Sequence, residues 1–426
     1  MSIAKPDHPT LARLGHLEIG GVAASVLATT YGTPLLALDD DVLAANIARF
    51  ETFVHTYAIE ACYAGKALLF VGLARRIGAS ALGLDVCSLG ELLTGEAAGI
   101  APERMVFHGC GKTHDELVAA ANGRVGRVVV DHHDELDALA RLADHARPIH
   151  VLLRVNTGIE AHTHAYVRTG GEESKFGFPL RELERAVAFA VASPGIRLVG
   201  LHSHLGSQIF DAAPYDASLP ILLDAYARAL AAGAPLTDLV LGGGFGVDPI
   251  PGAARFDLES AIGTLVNDLG AGARERGITA PRLGLEPGRS IVADAGMSLY
   301  RVVTIKHQGA RKFAIVDGGI ADNPRPALYG AYHHPTLANR ATDAPLEETT
   351  VCGRSCENDR LVVAPLPADL APGDLLALGT TGAYTYSMAS NYNRFPRPAI
   401  AFAGRGEHVL AVRREEAADI LRNDVR

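Results

Sequence analysis

Lysine is scarce in this chain, and positive charge as a whole is in deficit. Only six of the 39 basic residues are lysine, and the formal net charge is -9. This balance provides no basic field to attract nucleic acid, and no basic amphipathic stretch indicates a membrane surface. Apolar runs long enough to span a bilayer are missing too. We therefore expect neither nucleic acid nor a membrane as a partner.

Signals of secretion are also missing. The opening residues lack the basic start and the apolar core of a signal peptide. The five cysteines, an odd number in 426 residues, favour reduced thiols over a disulfide framework. We therefore expect a cytoplasmic protein. Its length and its 48% hydrophobic content are typical of a compact globular chain with two domains.

Short apolar runs alternate with longer helical stretches between residues 58 and 289. Eight runs are candidate strands, at residues 60–65, 82–86, 105–109, 127–131, 150–156, 198–204, 238–242 and 283–286. The helical stretches between them include Asp115–Ala121, Asp134–His145, Leu180–Ala192 and Asp216–Ala232. Eight strands alternating with helices over about 250 residues predict a closed (β/α)8 barrel of the TIM type. A doubly wound open sheet is the alternative.

Beyond residue 290 the pattern becomes that of a mostly β domain. Short strand-like runs lie at Met297–Lys306, Lys312–Asp317, Thr349–Arg354, Arg360–Ala364, Asp374–Leu378, Pro398–Phe402 and His408–Arg413. A short helix is expected near Glu415–Arg422, and the segment Leu17–Gly21 is expected to join one of these sheets. We predict a barrel domain at residues 39–289 and a second domain formed by residues 1–38 and 290–426.

Each predicted barrel strand ends in a polar, reactive or glycine residue. In chain order these ends carry Lys66, Asp85 with Ser88, His108, Asp131, Arg154 with Asn156, His202 with His204, Gly242–Gly246, and Glu286. Barrel enzymes have their active sites at the C-terminal ends of the strands, where the loops surround the mouth. We therefore expect the active site at this face.

Lys66 has only small or apolar neighbours from Ala61 to Leu68, and no acidic residue is among them. Burial lowers the pKa of a lysine and makes it a nucleophile that can form a Schiff base with a carbonyl cofactor. The alternative is a lysine whose stem lies on apolar surface while its head reaches water.

The run Gly242–Gly246 leaves backbone N–H groups free to converge on an anion, because only Phe245 carries a side chain. Phosphate sites of barrels commonly form from the loops after strands seven and eight, where this run lies. A plain turn is the alternative, but the position favours a phosphate site.

His202 and His204 lie two residues apart, so on a strand they share one face. Either they are metal ligands, or one ring stacks on a flat cofactor while the other packs. A metal would need a further ligand, which Asp131 or Glu286 could supply. A metal-dependent barrel hydrolase is therefore an alternative function.

Glu286 also has two interpretations. It pairs with the nearby Arg289, or it faces a pyridine nitrogen and keeps that nitrogen protonated. Pyridoxal phosphate accepts electrons from a carbanion best in this protonated form. With Lys66, the glycine run and a stacking histidine, such a carboxylate completes the set that this cofactor needs.

Several motifs occur in the order that one enzyme family shows, within a likeness that runs from about residue 17 to 403. They are Cys62–Ala67, Ser174–Gly177, His202–Gln208, Gly242–Gly246, Glu286–Arg289, Arg325–Tyr329, Cys356-Glu357, Gly382–Tyr384 and Ser390–Asn393. The chain thereby resembles the fold-type III pyridoxal-phosphate decarboxylases, whose fold is that of alanine racemase. The resemblance implies pyridoxal 5'-phosphate as cofactor.

The resemblance also implies roles for single residues. Lys66 matches the lysine that binds the cofactor, His204 the histidine that stacks on its ring, and Glu286 the partner of the pyridine nitrogen. Further cofactor contacts are implied for Ser207, Gly243, Gly244, Phe245, Gly246, Gly288, Arg289 and Tyr384. Substrate contacts are implied for Arg289, Arg325, Tyr329, Glu357 and Tyr384, while Cys356 matches the residue that returns a proton.

The likeness is greatest to family members that convert meso-2,6-diaminopimelate to L-lysine and CO2, the last step of lysine synthesis. In the family the counterparts of Cys356 and Glu357 come from the partner subunit. The resemblance therefore implies a small amino-acid substrate and a homodimer with shared active sites. An arginine suits a distal carboxylate because its planar fork donates two hydrogen bonds.

The chain departs from the family beside the distal end of the substrate. Arg354 stands where a proline is usual, Asn358-Asp359-Arg360 replaces Ser-Gly-Asp, and Asn323-Pro324 is an uncommon form. Relatives that act on carboxynorspermidine, siderophore precursors, D-amino acids, ornithine or lysine share the core motifs and are alternatives. A racemase of the same fold is disfavoured by Glu286, because racemases usually have arginine at the pyridine nitrogen.

Overall fold

The structure, a computed structural model, describes residues 16–159, 174–251, 253 and 256–425. Within these residues the strands are β1 (Glu18–Ile19), β2 (Val22–Ala23), β3 (Leu35–Asp39), β4 (Glu60–Ala64), β5 (Gly83–Val86), β6 (Met105–Phe107), β7 (Arg127–Val130), β8 (Ile149–Asn156), β9 (Phe178–Pro179), β10 (Ile196–His202), β11 (Asp238–Val240), β12 (Arg282–Leu285), β13 (Gly296–Gln308), β14 (Arg311–Val316), β15 (Pro335–Leu337), β16 (Leu346–Cys352), β17 (Arg360–Pro367), β18 (Leu375–Leu378), β19 (Ala399–Gly404) and β20 (Glu407–Val412). The helices of the same residues are α1 (Ala24–Tyr31), α2 (Asp40–Tyr57), α3 (Val71–Gly78), α4 (Leu89–Ala97), α5 (His114–Ala121), α6 (His133–Leu142), α7 (Leu180–Ala192), α8 (Ala213–Ala231), α9 (Leu258–Glu275), α10 (Arg289–Val292), α11 (Arg325–Tyr329) and α12 (Ala417–Leu421).

Eight parallel strands close into a barrel. The ring runs β4, β5, β6, β7, β8, β10, β11 and β12, and β12 pairs again with β4. The predicted (β/α)8 barrel is therefore confirmed, and the closure of the ring excludes the open sheet. Each observed strand overlaps one of the eight predicted runs. The short strand β9, which pairs with β8, was not predicted.

Apolar side chains fill the barrel, and an ionic cluster lies at its N-terminal end. The apolar layer consists of Cys62, Val106, Val129, Leu152, Val199 and Val240. Arg127, the first residue of β7, places Nη2 2.6 Å from Oε1 of Glu60 and Nη1 3.3 Å from Oδ2 of Asp238. Both carboxylates also belong to the first residues of their strands. The end of the barrel opposite the expected active site is thus held by charge pairing.

Capping residues start the helices that follow the strands. Ser88 accepts a hydrogen bond from the N–H of Glu91 and begins α4. Thr113 and Glu116 form a capping box at the start of α5. Such caps satisfy the first N–H groups of a helix and so define where each loop ends. None of the helices within the described residues is long and apolar enough to cross a membrane.

The described residues divide into two compact units. The barrel unit comprises the described residues within Ala44–Val247 and Ala254–Val292, and the second unit comprises those within Met1–Leu43, Asp248–Ala253 and Ala293–Arg426. The second unit contains a sheet of order β17-β16-β14-β13-β3-β19-β20, and β18 pairs with both β13 and β15. Two apolar clusters lie on this sheet, one around Leu27, Leu35 and Leu299 and the other around Tyr300, Val351 and Leu376.

The seven strand-like runs predicted for this unit all occur as strands, and the predicted final helix occurs as α12. The prediction for Leu17–Gly21 is wrong, because β1 pairs only with β2 in a separate two-stranded sheet. Gly20 and Gly21 both have a positive φ, at 56° and 75°, and turn the chain back after two residues. This turn prevents β1 from extending far enough to join the larger sheet.

Candidate active site

Lys66 lies immediately after β4, in a turn of 3-10 helix at Gly65–Ala67. Gly65 and Ala67 are buried, but Lys66 itself is exposed. The predicted burial of Lys66 is therefore wrong. Its small neighbours pack into the wall of the barrel, whereas the residue at the strand end extends beyond that wall. The alternative of an apolar stem with an exposed head describes the side chain better.

The neighbouring strand supplies the acidic group that the sequence around Lys66 lacks. Asp85, on β5, is buried. Burial and the charge of Glu286 raise the pKa of the Asp85 carboxyl to about 7, although His108 and Lys66 act in the opposite direction. Tertiary structure therefore places Lys66 in the field of a carboxyl group that is 19 residues later in the sequence.

Glu286 follows β12 and lies between two histidines. Its Oε2 is 3.0 Å from Nε2 of His202, and its Oε1 is 3.1 Å from Nε2 of His108. All three side chains are buried. Burial alone would raise the pKa of the Glu286 carboxyl, but the charges of His108 and His202 and their hydrogen bonds lower it well below its ordinary value. The carboxylate is thus held ionised inside the barrel.

The two histidines take different charge states. Burial opposes protonation of His108, but the charges of Glu286 and Asp85 outweigh it and raise the pKa of His108 to about 9. Burial lowers the pKa of His202 to about 4, despite the charge of Glu286. At neutral pH a charged and a neutral imidazole therefore flank the same carboxylate, His108 as an ion pair and His202 as a hydrogen-bond partner.

His108 is a site residue that the sequence reasoning missed. It follows β6 and was noted only as one of eight strand ends. Its Nε2 also lies 3.5 Å from Oδ1 of Asp85, so it links two carboxyl groups. The signal that pointed to it was its position, but nothing in the sequence indicated which of the other strand ends it would contact.

The glycine run after β11 packs closely against the loops around it. A Cβ on Gly243 would lie 2.0 Å from the carbonyl oxygen of Glu286, and one on Gly244, whose φ is 96°, would lie 2.3 Å from that of Gly206. The N–H of Gly243 approaches Nδ1 of His204 at 3.4 Å. Burial, followed by the charge of Lys66, lowers the pKa of His204 well below its ordinary value. A neutral His204 is therefore held beside a loop that tolerates no side chains at these glycines.

The side chain of Phe245 packs in an aromatic cluster that holds this loop in place. Its ring stacks with Tyr215 at 5.6 Å and with Phe256 at 5.9 Å between centroids. The hydroxyl of Tyr215 donates a hydrogen bond to the carbonyl oxygen of Gly243 at 2.6 Å. Since the side chain of Phe245 is buried in this cluster, only its backbone can contribute to a cofactor site.

The turn Glu286–Arg289 adjoins both the glycine run and the Lys66 turn. A Cβ on Gly288 would lie 3.1 Å from the Cβ atoms of Ala64 and Ala67. Nη2 of Arg289 donates a hydrogen bond to Oγ of Ser207 at 3.2 Å. Ser207, Gly288 and Arg289 thus lie in the same part of the barrel unit as the side chains described above.

Four sequence-predicted substrate residues lie in the second unit. The guanidinium of Arg325, at the start of α11, lies 4.9 Å from the ring centroid of Tyr329 and 5.6 Å from that of Tyr384. Arg325 is buried, and burial lowers its pKa. Tyr384 has a φ of 60°, a strained backbone for a bulky residue. Glu357, by contrast, is exposed, as is Cys356.

Comparison with known proteins decides the family. The model of the pyridoxal-dependent decarboxylases, pyridoxal binding domain, matches residues 43–293. Diaminopimelate decarboxylase of Actinosynnema pretiosum is 41% identical and aligns over 96% of this chain and 93% of its own length; that of Bacillus subtilis is 40% identical over 96% and 95%. The crystal structure of diaminopimelate decarboxylase from M. jannaschii with L-lysine has a TM-score of 0.88 at 29% identity, covering 97% of this chain and 96% of that one. The chain belongs to the diaminopimelate decarboxylase family.

Membership of this family makes the chain a pyridoxal-phosphate-dependent carboxy-lyase, and the barrel unit fits that cofactor. At Gly243 and Gly244 a Cβ would collide with neighbouring backbone, so the loop has no side chain at these positions, a geometry suited to close approach of a phosphate to its backbone. Glu286 provides an ionised carboxylate, and Lys66 provides an accessible amine. The predicted cofactor is therefore confirmed by the family and agrees with the residues present.

The family also decides between the two interpretations of the histidines. His108, His202 and Glu286 could place one ligand atom each around a metal ion, a set of two imidazoles and a carboxylate that transition metals accept. This set differs from the His202 and His204 pair that the sequence suggested. The diaminopimelate decarboxylase family uses pyridoxal phosphate, and the barrel hydrolase is therefore not favoured.

Proposed function

We propose that this chain decarboxylates meso-2,6-diaminopimelate to L-lysine and CO2 as a cytoplasmic homodimer with shared active sites. The observation that carries the chemistry is the ionised Glu286, flanked by His108 and His202, on the barrel strand next to the one that ends in Lys66. The choice of substrate is supported by relatives that are named for this reaction and that align over nearly the whole chain.

Lys66 would bind the cofactor covalently, and Glu286 would hold a proton on its ring nitrogen. When bound, pyridoxal phosphate takes up the electron pair that the departing carboxylate leaves at Cα of the substrate. The carboxylate of Glu286 favours a protonated ring nitrogen because opposite charges attract strongly in a buried site. His204, neutral and next to the glycine run, is suited to stacking on the ring.

The phosphate would be bound by backbone N–H groups and by short polar side chains. We assign this role to Gly243, Gly244, Phe245 and Gly246 through their backbones, to Ser207, Gly288 and Arg289, and to Tyr384 from the second unit. Fixed N–H groups are effective anion donors because they need not reorganise when the anion binds.

The distal end of the substrate would be recognised by charge. We assign its carboxylate to Arg289, Arg325 and Tyr329, with Tyr384 alongside, and its ammonium to Glu357. Cys356 would return a proton to Cα after CO2 leaves, as a general acid. The second domain, residues 1–38 and 290–426, would thereby complete the active site and form the dimer interface.

Steady-state decarboxylation of a panel of amino acids tests the substrate. The panel should contain meso-diaminopimelate, ornithine, lysine, carboxynorspermidine and D-amino acids. We expect the highest kcat/KM with meso-diaminopimelate; a clear preference for another member would replace this substrate while leaving the reaction type intact. Mixing inactive Lys66→Ala and Cys356→Ala proteins tests the shared site, because only a mixed dimer can then assemble one intact site and regain activity.

A further inference from the structure

Two adjacent residues at the exposed tip of the loop between β16 and β17, residues 353–359, are each held by one of two adjacent residues in another turn. The hydroxyl of Tyr392 donates a hydrogen bond to Oε1 of Glu357 at 2.6 Å. The backbone N–H of Cys356 donates to Oδ1 of Asn393 at 3.1 Å. We call Tyr392 and Asn393 the clamp. One of its contacts orients a side chain and the other holds a backbone.

The backbone of the clamp adopts an unfavourable conformation. Asn393 and Arg394 both have a positive φ, at 52° and 57°. Asparagine tolerates this left-handed region, but a residue with a long side chain does so at a cost. The turn is closed by the N–H of Arg394 on the carbonyl oxygen of Asn391, at 2.7 Å. Strain of this kind persists where the surrounding structure enforces it, and it is concentrated at functional sites.

The base of the loop is organised without the clamp. Asp359 is buried, and its Oδ1 accepts a hydrogen bond from the N–H of Ile320 at 2.6 Å. Its carbonyl oxygen accepts one from the N–H of Gly353 at 2.7 Å. The clamp therefore adds contacts at the tip of the loop, where Cys356 and Glu357 are exposed and would otherwise sample several rotamers.

The chemistry of the contact suits recognition of an amine. A tyrosine hydroxyl occupies one oxygen of the Glu357 carboxylate and leaves the other able to accept from an ammonium group. A hydroxyl donor also leaves the negative charge in place, whereas an arginine or lysine partner would neutralise it. The clamp thus limits the orientations of the Glu357 carboxylate without pairing it with a cation.

We propose that Tyr392 and Asn393 are positioning residues. Tyr392 orients Glu357 and so contributes to selection of the distal amine. Asn393 holds the backbone of Cys356 and so contributes to the return of a proton. This inference rests on the proposed function, because it assigns Glu357 and Cys356 the roles given above. Neither clamp residue needs to touch the substrate. Each acts through the loop residue that it holds.

The role of Tyr392 is tested with two ligands that differ only in the distal amine. The ligands are meso-diaminopimelate and 2-aminoheptanedioate, the latter measured as a competitive inhibitor so that its turnover is not required. Tyr392→Phe in the holoenzyme should raise KM for meso-diaminopimelate about tenfold, because a hydrogen bond that orients a charged group is lost. The inhibition constant of 2-aminoheptanedioate should stay within about twofold, since that ligand offers Glu357 no amine.

Tyr31→Phe is the matched control, because it also removes one hydroxyl hydrogen bond, that to Nδ1 of His408 at 2.7 Å. It should change neither constant. If Tyr392→Phe weakens the binding of both ligands equally, or of neither, the proposed role of Tyr392 is wrong. A wild-type enzyme that prefers another amino acid of the decarboxylation panel would instead refute the proposed substrate, and the two failures are therefore distinguishable.

The role of Asn393 is tested by a pair of variants at one position. Asn393→Gly keeps the left-handed backbone but removes the acceptor for the N–H of Cys356, and should lower kcat about tenfold at nearly constant KM. Asn393→Asp retains an acceptor and tolerates the same φ, so it should recover most of kcat. Equal loss in both variants, or loss confined to KM, would show a merely structural residue and overturn the assignment.

Discussion

Nε2 of His108 lies 3.1 Å from Oε1 of Glu286, and both side chains are buried inside the barrel. The two residues follow different strands, β6 and β12, which are separated in the ring by β4 and β5. Together with His202 on the other carboxylate oxygen, this contact keeps Glu286 ionised in surroundings that would otherwise favour its neutral form. A buried charge of this kind is stable only when it is paired.

The pairing of His108 predicts a pH-dependent contribution to stability. The pKa of His108 rises from an ordinary value near 6.5 in the unfolded chain to about 9 in the folded one. Its contribution is therefore fully present below pH 6.5 and is lost as the pH rises through 9. The difference in free energy of unfolding between wild type and His108→Gln should shrink over this interval. Denaturant titrations at pH 6 and pH 9.5 measure it, and a pH-independent difference would contradict the assigned charge state.

Lys66→Ala should abolish covalent attachment of the cofactor without unfolding the protein. The side chain is exposed, so its removal leaves no cavity, and kcat should fall by more than about a thousandfold. Borohydride reduction followed by mass spectrometry should find a cofactor adduct in wild type and none in the variant. The exposed Lys306 is the control, because Lys306→Ala should keep both the adduct and the activity. An adduct on Lys66→Ala would place the anchor at another lysine.

Gly243→Ala should weaken cofactor binding by at least about tenfold, because its Cβ would collide with backbone and displace N–H groups from the phosphate. Equilibrium dialysis of the apoprotein against pyridoxal phosphate measures the affinity. Gly270, inside α9, has only ordinary contacts at its Cβ position. Gly270→Ala should bind normally and be slightly more stable. Unchanged affinity in a folded Gly243→Ala protein would remove the glycine run from the cofactor site.

Arg127→Met should destabilise the barrel without altering its chemistry. The substitution leaves Glu60 and Asp238 with only the half-exposed Arg282 as a partner, and the cost should approach the about 3–5 kcal/mol of a broken buried pair without exceeding it. Thermal unfolding should therefore occur at a much lower temperature, while kcat of the folded holoenzyme should stay near that of wild type. Arg141→Met, which removes an exposed pair with Asp137, should change the unfolding temperature little. Equal effects of the two variants would contradict the role of the ionic cluster.

Much of the fold follows from local pattern. The eight barrel strands and the strand-like runs of the second unit were predicted because apolar periodicity and Gly, Pro and Asn breaks are local signals. The segment around β1 and β2 was mispredicted, since two consecutive left-handed glycines reverse the chain sooner than its apolar content indicates. The short strands β9 and β15 were not predicted, because two or three residues carry no period and these strands, unlike β6 and β11, lie outside the alternation of strands and helices.

The candidate site was predictable as a set of residues but not as a set of contacts. Lys66, His204 and Glu286 could be named because reactive residues at the ends of barrel strands and ordered motifs are visible in the chain. His108 was passed over as a site residue, because its contact with Glu286 depends on ring closure across the barrel. The exposure of Lys66 was misjudged for a related reason. The apolar residues next to it in the sequence indicate that the strand is buried, but they do not indicate what surrounds the residue that follows the strand.

The amino-acid sequence by itself determined the order of strands and helices, the face that carries the reactive residues and which lysine is the candidate for the cofactor anchor, because each depends on periodicity or on a motif of adjacent residues. Only the tertiary structure decided the partners: His108 and His202 with Glu286, Asp85 near Lys66, and Tyr392 with Glu357. Such pairs are set by strand register and loop packing between distant segments, and their electrostatic consequences depend on burial that no local pattern specifies.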